Sequence, residues 1–163
     1  MKRILVLSLV LCLFLSGCSS LGERIKEPVT FYYPRNEYSY YSSDGVITSE
    51  EREASGHRND LNYLLALYLM GPTTKGLSFS FPPTTKIFGL SATESEIIMQ
   101  ITNYDSTMSD VNFSLACACI SMTCFDLTDC ELVTVKSGNR SVTISRNTTT
   151  LTDNDVNLME ENQ

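Results

Sequence analysis

Val29-Thr30-Phe31-Tyr32-Tyr33 alternates between two faces and is rich in β-branched and aromatic side chains, which predicts a strand ended by Pro34. Residues 35–45 are polar and aromatic and read as a loop closed by Asp44-Gly45. Residues 46–53 (VITSEERE) predict a second, edge-like strand, because its charges discourage further pairing. Asn59 or Asp60 can then cap a helix to about Met70. Leu61, Leu64, Leu65, Tyr68 and Leu69 fall at i, i+3, i+4, i+7 and i+8, one apolar helical face, and Gly71-Pro72 stops it. After a turn-rich stretch at 73–83, residues 86–93 and 96–102 predict a hairpin with Ile97, Met99 and Ile101 on one face. Ser109 or Asp110 caps a second helix to about Asp126. Residues 131–136 and 141–145 form a last hairpin around Ser137-Gly138-Asn139. This order predicts an α+β domain, with two helices packed on one face of a small, mainly antiparallel sheet.

The first residues follow another pattern. Lys2 and Arg3 precede an apolar run from Ile4 to Leu15, too short to span a bilayer as a helix of about 20 residues, and small residues follow. Leu15-Ser16-Gly17-Cys18 resembles the lipobox of bacterial lipoproteins. The resemblance implies removal of residues 1–17 as a signal peptide, diacylglycerol on the Cys18 thiol, and acylation of the new amino terminus. Several fatty chains, palmitate among them, would give a stable anchor, since one chain alone holds a protein only marginally. Residues 18–27 then make the lipidated cysteine and a polar tether, 28–146 the domain, and 147–163 a polar tail expected to be disordered.

Charge sharpens this picture. The 163 residues carry 12 basic and 19 acidic side chains, a net charge of -7. Losing Lys2 and Arg3 with the signal peptide leaves 10 against 19, or -9. Nucleic acid is excluded as a partner, because neutralising phosphates takes clustered Lys and Arg. An acidic ectodomain is also repelled by anionic lipid head groups, so the anchor alone must hold it to the membrane. The expected location is the extracytoplasmic face of the cell membrane. Trp is absent and His57 is the one histidine. It sits in a polar segment with no G-x-S-x-G motif and reads as a solvated loop residue, so no catalytic residue and no enzyme activity are expected.

The second helix is apolar nearly all round. Val111, Leu115, Ala118, Cys119, Met122 and Phe125 form one stripe, and Phe113, Cys117, Ile120 and Cys124 the other. Either one stripe packs on the sheet and the other against the first helix, or the second stripe is an exposed patch for self-association or a protein partner. The spacing C-x-C-x4-C-x5-C over Cys117, Cys119, Cys124 and Cys130 lacks the C-x2-C pairs of zinc sites. On a helix Cys117 and Cys119 point about 200° apart, and Cys117 and Cys124 stand about 10 Å apart along the axis. No metal and no cofactor are expected, and these cysteines read as small buried hydrophobes, with a bridge to Cys130 geometrically open. Tyr38, Tyr40 and Tyr41 either form an aromatic contact surface or decorate a loop. Glu50-Glu51, Glu94 and Glu96 read as ordinary exposed charge.

Leu61-x-x-Leu64-Leu65-x-Leu67-Tyr68-Leu69-x-Gly71-Pro72 resembles the helix and Gly-Pro stop of the GerMN domain, found in spore formation and germination. Gly76-Leu77, Pro82-x-x-Thr85-Lys86-Ile87, a hairpin, a second helix and Val133-Thr134-Val135 continue that likeness over about residues 28–146. It implies a fold related to ring-building motifs and a membrane-attached, non-catalytic module for protein assembly, possessing no family functional residue that can be carried over. The alternative is a lipoprotein that binds a small ligand, peptide or cell-wall glycan through the tyrosine-rich loop.

Overall fold

A computed structural model describes residues 28–37 and 45–148. Strands β1 (Pro28–Pro34) and β2 (Ile47–Glu53) come first, then helix α1 (Leu61–Leu69), strands β3 (Ile87–Ala92) and β4 (Glu96–Ile101), helix α2 (Asp110–Leu127), and strands β5 (Leu132–Ser137) and β6 (Arg140–Ser145). A 3-10 turn over Arg146–Thr148 follows. Both helices start where the sequence places a cap. The Asp60 carboxylate accepts from the Tyr63 N–H at 3.1 Å, and Ser109 Oγ from the Asn112 N–H at 3.3 Å. Gly71, just past α1, has φ +90°, a conformation that L side chains rarely adopt.

The α+β class is as expected, but the strands divide into two sheets. β1 pairs with β2 antiparallel, in register from Pro28 with Glu53 to Pro34 with Ile47. The other four lie in the order β3-β4-β5-β6, antiparallel except for β4 beside β5. That parallel pair needs a long crossover, which α2 supplies. The open edge of β1 meets α2 instead of another strand. Thr123 donates its hydroxyl to Cys119 O one turn back and accepts the Tyr32 N–H at 3.0 Å. A helix hydroxyl thus occupies a ladder donor, and the small sheet ends there.

The core is continuous across both sheets. Ile97, Met99, Val133 and Val135 cover one face of the larger sheet and meet the buried side of α2, while Phe31 and Tyr33 of β1 meet α1. Tyr33 and Tyr68 stack at 4.8 Å, and Phe31 meets Tyr68 edge-on. β2 carries the surprise. Glu50, read from the sequence as exposed, is 6% exposed, and it accepts from the backbone N–H groups of Thr73 and Thr74 and from the Thr73 hydroxyl. Arg52 Nε stands 3.3 Å from Glu50 Oε1, an ion pair without the alignment of a hydrogen bond. One terminal nitrogen of Arg52 donates to Tyr33 Oη and to Leu67 O, and the guanidinium lies over the Phe31 ring. The period-2 pleat turns Glu50 and Arg52 inward together, so β2 presents a charged pair to α1 and fixes the chain leaving it.

Candidate functional site

The segment leaving α1 runs to β3, which lies at an edge of the larger sheet. The Thr102 N–H donates to Lys86 O, and the Lys86 N–H to Thr102 Oγ1, which ties down the start of the strand. The pairing then slips. Ile87 faces Ile101 and Gly89 faces Gln100, so Phe88 is an extra residue in the ladder. A bulge of this kind turns a side chain out of its expected face, and Phe88 is 70% exposed. Across from it Met70, after the last turn of α1, is 74% exposed. Between them runs a groove of about 640 Å³, walled by Asn62, Ala66 and Leu69 of α1 and by Lys86 with Ile87 and Leu90 of β3.

This groove is built for contact. Its walls are mostly apolar, Lys86 is its one charged lining residue among the described residues, and none of its side chains is a histidine, cysteine or carboxylate. Beside it the outer edge of β3 carries backbone groups that no strand among the described residues pairs. An open edge next to an apolar groove can take an added strand, with main-chain hydrogen bonds giving affinity and side-chain pockets giving selectivity. Two large apolar side chains exposed on facing walls mark the same place, since scattered ones are normal but clustered ones are not.

The residues singled out from the sequence lie elsewhere. Phe113, Cys117, Ile120 and Cys124 are all buried, at 0–2% exposure, so the second stripe of α2 is not an exposed patch. The reason is that α2 packs against strands of both sheets, β1 as well as β5 and β6, and the chain itself covers this stripe, while Val111 of the other stays exposed. By length and composition α2 could cross a membrane, yet half of it is buried inside this domain. Cys117, Cys119, Cys124 and Cys130 are free, buried thiols. Burial pushes Cys117 and Cys119 up to about 12, and raises Cys124 further with Cys130 adding to the effect. Neutral thiols of this kind are poor nucleophiles and poor metal ligands. Among the described residues no group of three His, Cys, Asp or Glu could hold a metal ion. His57 is exposed and stacks on Tyr63 at 4.2 Å. Cys18, Tyr38, Tyr40 and Tyr41 lie outside the described residues.

Sequence reasoning passed over Phe88 and Met70. A signal was present: Ile87-Phe88 puts two bulky apolar residues on opposite faces of an edge strand, and Gly89 beside them is a common mark of a bulge.

No family model matches the sequence. No curated protein matches it. Among solved structures, the chain is similar to a candidate lipoprotein from Clostridium perfringens, at 15% identity and a TM-score of 0.37, over 74% of this chain and 87% of that one. At that level of similarity nothing about this chain follows from it.

Proposed function

We propose that this chain is a lipid-anchored, non-catalytic adaptor at the extracytoplasmic face of a bacterial membrane, which docks an extended segment of a partner protein in the groove between α1 and β3. The observation that carries the reading is the pairing of exposed Phe88 and Met70 across an apolar groove beside an open strand edge. The occupant is a strand with apolar side chains at alternate positions, and Lys86 favours one that also carries an acidic residue. Cys18 and the lipobox-like residues before it supply the anchor. The GerMN-like order of motifs would put the resulting assembly in spore formation or germination.

Two measurements test this. Selection of random decapeptides against the full chain in non-ionic detergent is expected to return alternating apolar sequences, and Phe88→Asp is expected to weaken them at least about tenfold, as loss of a central apolar anchor does. Binders indifferent to Phe88→Asp would refute the docking site. Cys18→Ala is expected to release the protein from membranes, and its continued membrane association would refute the anchor.

A further inference from the structure

A second, smaller cavity of about 200 Å³ lies away from the groove, where residues 34–36 run beside residues 76–78. The backbone there is held firmly. Ser78 N–H donates to Pro34 O at 2.8 Å, Asn36 N–H to Gly76 O at 2.9 Å, and Arg35 N–H to Val46 O at 2.9 Å. The Ser78 hydroxyl donates to the Asn36 side-chain oxygen. The polar wall is therefore Arg35, Asn36 and Ser78, with Asn112 of α2 opposite, and Phe79 and Leu115 contribute apolar surface.

Arg35 stands apart from the other described arginines. Arg52, Arg58, Arg140 and Arg146 each donate to a backbone carbonyl oxygen, and three of those four also lie over an aromatic ring. The Arg35 guanidinium meets no acceptor among the described residues, and its Nε–H is buried without one. A desolvated donor left unpaired is costly, whereas a guanidinium and a carboxylate can share two parallel hydrogen bonds. An unspent, half-buried fork on a rigid backbone, facing a small part-apolar cavity, calls for an anion of matching size.

We infer that this cavity binds a small organic carboxylate through Arg35. At about 30 Å³ for each liquid water, 200 Å³ is the share of about seven, which suits a ligand of amino-acid size. One guanidinium balances one carboxylate, while a phosphate dianion would leave charge unmatched in a chain that is already acidic. The apolar wall favours an organic acid over an inorganic anion for the same reason. Asn36 and Asn112 line the same cavity and bring side-chain amides that can pair with a peptide amide beside that carboxylate. The site stands independently of the α1–β3 groove.

The test is calorimetric titration of the full chain in non-ionic detergent with N-acetyl-alanine, tri-alanine, tri-alanine amide and inorganic phosphate. Saturable binding of the two carboxylates is expected, with the amide and phosphate at least about tenfold weaker. Arg35→Gln is expected to weaken the carboxylates at least about tenfold with an unchanged melting temperature. Arg35→Lys, which keeps the charge and loses the fork, should fall between. If Arg35→Gln fails to fold, Asn112→Phe, at an exposed lining position, decides by blocking the cavity. Tighter binding of tri-alanine than of N-acetyl-alanine supports a peptide terminus as the source, and the reverse supports a free acid. No saturable binding, equal binding of the amide, phosphate as the tightest ligand, or carboxylate affinity unmoved in the variants would each overturn the inference.

Discussion

Helix α2 is 18 residues long, and half of it, with the whole Phe113, Cys117, Ile120 and Cys124 stripe, is buried. Helix α1 is 9 residues long, buries Leu64, Leu65 and Tyr68, and leaves its other side along an open groove. The longer helix, with the longer apolar stripe, is thus the less available one. Apolar surface reports what must be covered, and topology decides who covers it. Here α2 crosses between parallel strands β4 and β5 and touches both sheets, so its own chain does the covering. α1 faces the edge strand β3 across space that nothing in the described chain fills.

The sharpest way to break that contrast is a matched pair of charges. Ile120→Asp puts an unpaired carboxylate into the core and is expected to cost more than about 4 kcal/mol, a large part of the 5–15 kcal/mol that holds a domain together, so circular dichroism should show loss of the fold. Phe88→Asp alters an exposed side chain and should leave the melt within about 0.5 kcal/mol of wild type while peptide docking fails. A folded Ile120→Asp protein would mean that the Phe113, Cys117, Ile120 and Cys124 stripe of α2 is free after all.

Glu50→Ala comes next. It leaves Arg52 partly buried without its carboxylate and strips Thr73 and Thr74 of their acceptor, for an expected loss of about 3 kcal/mol in denaturant titration. Because the segment it frees leads from α1 toward β3, groove binding should weaken along with stability. If binding held while stability fell, the two walls of the groove would be positioned independently of β2.

The buried thiols give a pH signature on the α2 side. Their pKa is raised in the fold, from an ordinary 9.0 to about 12 at Cys117 and Cys119, so the unfolded chain releases these protons first. Stability from this source is complete below about pH 9 and is lost as pH rises from there toward 12. Melting temperatures across that window should fall less steeply in a Cys117→Ala, Cys119→Ala double variant. The smallest effect is expected at Ser121, whose buried hydroxyl has no partner among the described residues: Ser121→Ala should be neutral or gain up to about 1 kcal/mol in the same melts.

Local signals made most of the elements legible. Asp60 and Ser109 cap the helices that their positions predict, and the Leu61–Leu69 periodicity gives α1 its buried side. What the sequence left hidden depends on partners distant in the chain. The split into two sheets leaves the outer edge of β1 against α2, where Thr123 meets the Tyr32 N–H from 91 residues away. Glu50 looks like surface charge until Thr73 and Thr74 are folded over it. Phe88 looks like one more strand hydrophobe until the slip between Ile87 and Gly89 turns it outward. In the same way Phe113, Cys117, Ile120 and Cys124 announce a face that needs covering, with no hint that β1, rather than the first helix, shares that task with the larger sheet.

Hydrogen exchange on the full chain, with and without a decapeptide selected against it, reads the central claim residue by residue. Protection gained in β3 around residues 86–90 and along the exposed side of α1, with α2 already slow and unchanged, is the predicted result. Protection that appears on α2 or on β6 and leaves β3 as fast as before would contradict the account.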